Sequence, residues 1–240
     1  MRALPTFLLV HGSWHGPWCW DLLRPALKRL GAASETVSLP SCGDTPEGLG
    51  TFFDDAATVS EAAAAIPGEV VVVGHSYGGA VVCEASFGRN VSSLVFLAAF
   101  MPDTGRSYVS YLPPGPLPPY VGLRDDGTFA VPEGQSRDAF YADCSTDIAS
   151  WANDRLRLQS QAVLGAPVTE ASWRRLPSTY VVTTEDHALP PDFQRMFAAQ
   201  AGDVREFASS HSPFLSRPDD LAELLVDVAR GRKGQEKRAG

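Results

Sequence analysis

The sequence predicts an α/β fold, in which helices cover both faces of a mostly parallel, doubly wound sheet. Two observations predict this sheet: apolar runs of strand length alternate with helical segments, and a glycine-rich turn directly follows one of these runs. A third observation, a long irregular stretch in the middle of the chain, predicts an inserted cap. The functional site of such a sheet lies at the carboxyl ends of its strands.

The predicted elements follow the chain in order. Short apolar runs predict strands, whereas apolar residues at spacing i, i+3, i+4 or an alanine-rich segment predict helices. The predicted strands span residues 7–10, 35–39, 70–73, 93–98, 179–183 and 204–207. The predicted helices span residues 23–30, 52–66, a segment that begins at Ser76, residues 193–201 and a last segment that ends at Gly231.

One domain with an insertion suits a chain of 240 residues, of which 44% are hydrophobic. Regularity fails between residues 102 and 177, a segment that includes the sequence PPGP at residues 113–116. A stretch of this length between core strands is too long for a simple loop. We expect residues 1–101 and 178–230 to form the core, residues 102–177 to form a cap that roofs a pocket, and residues 231–240 to be a disordered tail.

Composition and charge exclude several classes of partner. The net charge of −8 argues against a nucleic-acid partner, and no apolar run is long enough to span a membrane. The four cysteines are scattered, without a C-x-x-C pair or a Cys/His cluster at zinc spacing. The first apolar run is too short for a signal peptide. We therefore expect a cytoplasmic protein without a metal or an organic cofactor.

The most informative motif is the pentapeptide GHSYG at residues 74–78, which follows the apolar run 70–73. It matches G-x-S-x-G, in which a serine occupies a strained strand-to-helix turn that exposes its hydroxyl. A glycine-rich turn without chemistry is the alternative for the pentapeptide alone. Its position between a strand and a helix, together with a base and an acid further along the chain, favours Ser76 as a nucleophile.

A serine becomes nucleophilic when a histidine takes its proton, and a carboxylate orients that histidine. In sheets that carry a G-x-S-x-G elbow the base follows the serine in chain order, so only His187 and His211 of the five histidines fit. We predict that His211, which comes after the last strand, is the base. Asp186, just past a strand end, is the predicted acid, and Asp103, after an earlier strand, is the alternative.

Acyl transfer also needs two N–H donors that face the developing oxyanion, and loss of one donor costs about 10²–10³ in rate. We predict that one donor is the backbone N–H of Tyr77, which follows the nucleophile at a helix N-terminus. The other donor is expected in the loop HGSWHG at residues 11–16, whose small residues let the backbone approach a substrate. Within that loop we select Ser13.

These stretches resemble the α/β-hydrolase superfamily, and more narrowly the branch of plant methyl esterases of the salicylate-binding type and the related hydroxynitrile lyases. The resemblance rests on LVHG at residues 9–12, HGPW at 15–18, GHSYGG at 74–79, VFLAAFMPD at 95–103 and TED at 184–186. It covers nearly all of the core and little of the cap. It places Asp103 outside the triad.

The resemblance implies the α/β-hydrolase fold and a triad of Ser76, Asp186 and His211, with Ser13 and Tyr77 as the oxyanion donors. It implies that the chain cleaves a small carboxylic ester through an acyl-enzyme, without a cofactor. A homodimer is compatible with the resemblance, but the sequence does not determine the oligomeric state. Nor does it determine the acyl or alcohol specificity.

The sequence departs from the lyases of this branch at three positions. Those lyases carry a lysine after the catalytic histidine, a glutamate before the serine and a threonine in the first loop, where this chain has Ser212, His75 and Gly12. A cyanohydrin-cleaving site needs a positive group to hold cyanide, so lyase activity is disfavoured. Lactone opening, C–C hydrolysis or cyclisation by the same triad stay open as alternatives, and so does a non-catalytic ligand receptor.

Overall fold

The computed structural model of the chain describes residues 3–236. In that range the strands are β1 (Thr6–Val10), β2 (Ser34–Thr36), β3 (Cys42–Gly43), β4 (Val70–His75), β5 (Val91–Leu97), β6 (Gly122–Leu123), β7 (Thr128–Ala130), β8 (Leu158–Ser160), β9 (Ser178–Thr183) and β10 (Asp203–Phe207). The α-helices are α1 (Leu23–Arg29), α2 (Phe52–Ala65), α3 (Tyr77–Glu84), α4 (Ser136–Phe140), α5 (Thr146–Asn153), α6 (Pro191–Ala198), α7 (Pro213–Ser216) and α8 (Pro218–Glu236).

Six strands form the central sheet in the order β10-β9-β5-β4-β1-β2, and every neighbouring pair is parallel. This order confirms the predicted α/β class. All residues of β4 are buried, as expected for a parallel strand that is covered on both faces. α1 packs against α8 and α2 packs against α3. The carboxyl ends of β4, β9 and β10 therefore lie at one edge of the sheet, from which the candidate site is built.

Several predicted element ends differ from the structure, and those of β2 and α8 have a clear physical reason. β2 ends at Thr36 rather than at residue 39, because the Leu39 N–H turns to donate to His11 Nε2 at 3.2 Å instead of joining the ladder. α8 continues past Gly231, its predicted end, to Glu236. One glycine costs a helix only about 1 kcal/mol, so it does not stop it. Of the expected disordered tail, residues 237–240 lie outside the described residues.

Residues 102–177 contain β6, β7, β8, α4 and α5, and this range is called the cap segment below. Its strands form a small antiparallel sheet in the order β3-β8-β7-β6, so that β3 contributes a strand from the core sequence. All four cysteines of the chain are buried free thiols. Within residues 3–236 no helix is both long and apolar enough to cross a membrane.

Candidate active site

Ser76 occupies the sharp turn between β4 and α3. Its φ of 53° and ψ of −124° lie in a region that side chains rarely adopt, and such a conformation costs about 1–3 kcal/mol. The flanking glycines permit the turn. A Cβ at Gly78 would lie 2.5 Å from the His11 carbonyl oxygen, and one at Gly74 would lie 2.9 Å from the Gly78 carbonyl oxygen. The local sequence therefore produces an elbow with the serine at its apex.

His211 follows β10 and is buried beside Asp186, which follows β9. The distance from His211 Nδ1 to Asp186 Oδ2 is 2.7 Å. Because an ionised carboxylate only accepts hydrogen bonds, Nδ1 carries the proton and Nε2 is left able to take one. This is the tautomer that a general base for serine needs.

The carboxylate of Asp186 is held in place by four further donors. Its Oδ1 accepts from the backbone N–H groups of residues 188 and 189, each at 2.8 Å. Its Oδ2 accepts from Thr183 Oγ1 at 2.8 Å and from Gln194 Nε2 at 2.9 Å. The acceptor for the histidine is therefore fixed by β9, the following turn and α6. Sequence reasoning missed Gln194, a polar residue on the buried face of a helix.

Ser76 and His211 line the same cavity, whose volume is about 420 Å³. Ser13 also lines it, so three of the five predicted site residues face one space. None of the lining residues, all within the described part of the chain, is Asp, Glu, Lys or Arg. The cavity walls are mostly apolar. Their aromatic members are Trp14, Phe100, Tyr108, Tyr120, Phe129 and Phe140.

The loop that carries Ser13 lies against the elbow, since a Cβ at Gly12 would be 2.8 Å from Ser76 Cβ. His11 Nδ1 donates to the Gly12 carbonyl oxygen at 2.9 Å. Because the peptide is trans, the Ser13 N–H points opposite to that carbonyl. Burial lowers the pKa of His11 to about 4, so the ring stays neutral at pH 7. His11 thereby orients the peptide group of the predicted oxyanion donor.

His15 holds the other side of the same loop. Its Nδ1 donates to the Ser13 carbonyl oxygen at 2.7 Å, and its Nε2 accepts from the Tyr141 hydroxyl at 2.9 Å. Burial lowers the pKa of His15 to about 3, which keeps this ring neutral as well. Tyr141 belongs to the cap segment, so the cap segment and the predicted oxyanion loop share a buried hydrogen bond.

Tyr77 is the first residue of α3, and the first N–H groups of a helix have no intrahelical acceptor. Its side chain turns inward, where the hydroxyl donates to Asp55 Oδ2 at 2.7 Å. Asp55 also accepts from the backbone N–H and the hydroxyl of Ser41. Burial raises the pKa of Asp55 to about 6. The sequence signal for this buried network was a carboxylate on the apolar face of α2.

The other candidate groups lie apart from this arrangement. Asp103 forms an ion pair with Arg174, so it is Asp186 whose carboxylate contacts His211. His187 is exposed and its Nδ1 lies 3.0 Å from Asp138 Oδ1. Within residues 3–236 no group of three or more His, Cys, Asp or Glu side chains is arranged to hold a metal ion.

Comparison with known proteins shows which family and which enzymes this chain is similar to. The model of the alpha/beta hydrolase family matches residues 7–224. The carbendazim hydrolyzing esterase of a Nocardioides species is 28% identical over 240 residues, which cover 93% of this chain and 99% of that protein. Methylesterase 1 of Arabidopsis thaliana is 26% identical over 253 residues, which cover 93% of this chain and 95% of that protein.

Among solved structures, polyneuridine aldehyde esterase superimposes with a TM-score of 0.81 at 25% identity, over 94% of this chain and 99% of that one. The match to a methylesterase confirms the resemblance that the sequence motifs suggested. The family match covers most of the chain, including the elbow and the strand ends that carry the candidate site. The chain is an enzyme that belongs to the alpha/beta hydrolase family.

Proposed function

We propose that this chain hydrolyses a small, uncharged carboxylic ester through an acyl-enzyme on Ser76. The observation that carries the proposal is the 2.7 Å contact between His211 Nδ1 and Asp186 Oδ2, made by a histidine that shares its cavity with Ser76. The relatives named as esterases support the reaction class. Ser76 is the nucleophile, His211 the general base and Asp186 the acid that orients it.

In the first step Ser76 Oγ attacks the ester carbonyl carbon while His211 Nε2 takes the hydroxyl proton. The N–H groups of Ser13 and Tyr77 stabilise the oxyanion. The tetrahedral intermediate then expels the alcohol oxygen, which takes the proton back from His211, and the acyl group stays on Ser76. In the second step water loses a proton to His211 and attacks the acyl carbon. The carboxylic acid leaves and the proton returns to Ser76 Oγ.

The cavity lining supports an uncharged and largely apolar substrate. A carboxylate on the substrate would find no lysine or arginine among the lining residues, and burial of an unpaired charge is costly. Six aromatic side chains suit an aryl or branched alkyl group. Position 212, directly after the candidate base, carries a buried serine, so it supplies no cation for cyanide. This favours ester hydrolysis over cyanohydrin cleavage.

A fluorophosphonate probe together with p-nitrophenyl butyrate tests the proposal. We expect the parent protein to be labelled and to release p-nitrophenol, and Ser76→Ala to lose both activities, because the probe bonds covalently to an activated serine. Ser110→Ala, at an exposed cap-segment serine, is the control and retains both. A folded parent protein without label would contradict the proposal. Labelling without turnover of any simple ester would favour lactone opening, C–C hydrolysis or cyclisation instead.

A further inference from the structure

His75 connects the strand of the candidate nucleophile to the backbone of the candidate base. It is the last residue of β4, directly before Ser76, and it is fully buried. Its Nε2 lies 2.9 Å from the carbonyl oxygen of His211. Because a carbonyl oxygen only accepts, Nε2 carries the ring proton and donates it. The His75 side chain therefore ties the residue next to Ser76 to the backbone of His211, which is far away in sequence.

Burial of the polar His75 ring is unfavourable, and the hydrogen bond to the His211 carbonyl oxygen offsets part of this cost. His75 Nδ1 is buried without a hydrogen-bond partner in the described structure, and such a group is unfavourable. The ring packs against His211 at 4.6 Å and Phe214 at 4.8 Å between centroids, contacts that an apolar side chain would also make. Burial and the neighbouring histidines, His211, His15 and His11, hold its pKa well below the usual value, so the ring is neutral.

Two carboxylates also hold the segment around His211, and neither belongs to the strand that carries Ser76. Asp186, after β9, contacts the ring of His211. Asp143, in the cap segment, accepts from the backbone N–H of Ser210 at 3.0 Å and from its hydroxyl. His75 adds an anchor from the serine strand itself. The hydrogen bond of His75 therefore helps to fix the distance between Ser76 and His211.

We propose that His75 is a positioning residue that sets the placement of His211 relative to Ser76, a role that rests on the proposed function. His75 neither touches the substrate nor exchanges a proton in this role. A displacement of about 1 Å between reacting groups can cost on the order of 10²-fold in rate, so a single lost anchor has a measurable effect.

The test compares two amides of different reach. In His75→Gln the side-chain nitrogen can occupy the place of Nε2, whereas in His75→Asn the shorter amide does not reach the His211 carbonyl. With p-nitrophenyl butyrate we expect kcat of His75→Asn to fall about 10- to 100-fold at nearly unchanged KM, and His75→Gln to recover most of it. Should His75→Asn not fold, His75→Leu serves in its place. Phe214→Leu alters packing on the same ring but keeps the hydrogen bond, so it retains kcat.

The pH profile separates positioning from proton transfer. Because His75 is neutral, its replacement removes no charge, and we expect the apparent pKa of kcat/KM to stay unchanged while the plateau falls. Equal kcat values for the Gln and Asn variants, or a shifted apparent pKa, would overturn the proposal. A parent protein that is neither labelled nor active would instead contradict the proposed function.

A second inference comes from a separate cavity of about 430 Å³ that adjoins the serine cavity. The residues that line both cavities are Leu112, Pro113, Pro118, Tyr120, Ala188 and Leu189. Tyr120 is fixed at this boundary because its hydroxyl donates to the Ala188 carbonyl oxygen at 2.6 Å. Beyond the boundary the wall is apolar at Ala139 and Phe193. The exposed side chains of Gln135, Asp138 and His187 also line this cavity, and Asp138 pairs with His187 at 3.0 Å.

We infer that this second cavity is a subsite for an apolar part of the same ester, remote from the carbonyl carbon, again on the basis of the proposed function. The wall that it shares with the serine cavity, together with its apolar side at Ala139 and Phe193, favours an uncharged alkyl or aryl group as the occupant. The carboxylate in this lining, Asp138, is exposed and already pairs with His187. The subsite extends the accepted substrate beyond the length that the serine cavity alone can hold.

A series of p-nitrophenyl esters from acetate to decanoate, and a series of acetate esters of lengthening alcohols, test this inference. Gln135→Trp fills the rim, and Gln135 caps no helix with its side chain, so the fold is retained. We expect kcat/KM for the long members of one series to fall at least about 10-fold, while acetate hydrolysis stays unchanged. Arg137→Trp, on the same helix outside both linings, is the control, and Ala139→Phe is a second block. Unchanged profiles in both series would overturn the inference.

Discussion

The core and the cap segment are stabilised in different ways. In the core, β4 is a run of six buried residues, stabilised by parallel neighbours on both sides. In the cap segment β6, β7 and β8 have only two or three residues each, and α4 has five. Elements this short are not stable alone. They depend on packing against the core, as Phe129 and Phe140 do against Trp14 at 5.3 and 5.7 Å between ring centroids.

On the proposed function, we expect the core to carry the chemistry and the cap segment to set the selectivity. The residues to which we assign chemical steps lie at strand ends of the core, where buried hydrogen bonds hold them. Most of the aromatic side chains that line the serine cavity belong to the cap segment. Changes in the core should therefore reduce the rate for every substrate, whereas changes in the cap segment should alter the ranking of substrates.

The largest effect is expected in the core, for Asp186→Asn. The amide no longer holds His211 in the tautomer that leaves Nε2 free, so kcat on p-nitrophenyl butyrate should fall by about 10⁴. Asp103→Asn is the matched control, because that carboxylate pairs with Arg174 at the surface and its loss should change kcat by less than about two-fold. A similar fall in both variants would show that the division of roles between these strand ends is wrong.

An intermediate effect is expected for Asp55→Asn, measured as unfolding free energy against pH. Burial raises the pKa of Asp55 from 3.8 to about 6, so the folded state holds the proton more tightly than the unfolded state. This group therefore stabilises the fold most below about pH 4, and roughly 3 kcal/mol of that contribution is lost as the pH rises through 6. We expect the variant to lack this slope.

The control for the pH measurement is Asp54→Asn on the same helix. Hydrogen bonds from the backbone and hydroxyl of Thr51 lower the pKa of Asp54, so its stabilisation is lost as the pH falls, the opposite direction. Its removal should leave the slope near pH 6 in place. A parent protein and an Asp55→Asn variant with the same curve between pH 4 and 7 would refute the buried-carboxylate assignment.

The smallest effect is expected in the cap segment, for Phe129→Leu. The shorter side chain enlarges the serine cavity beside Trp14, so kcat/KM for an ester with an aromatic acyl group should fall about 10-fold relative to an acetate ester. Labelling of Ser76 by a small fluorophosphonate should persist. Phe53→Leu, at an exposed phenylalanine of α2, leaves the ranking unchanged. An equal fall in kcat/KM for all esters would contradict the idea that the cap segment sets substrate preference.

Much of the core could be predicted from sequence because its signals are local. The elbow needs only a strand, two glycines and a helix in succession, and these are adjacent in the chain. Both Asp103 and Asp186 follow strands, so pattern alone left two candidates for the acid. The structure separates them through contacts with distant residues, Arg174 in one case and His211 in the other.

The sequence by itself determined the succession of the main strands and helices of the core, the position of Ser76 at the elbow and the family to which the chain belongs. Only the tertiary structure decided which cap-segment aromatics face the serine, where the buried Asp55 finds its donors, and that His75 reaches the backbone of His211. The physical reason is the separation along the chain over which each interaction acts. Periodicity and turn chemistry act between neighbours in the chain, whereas cavity walls and buried hydrogen bonds join residues that only packing brings together.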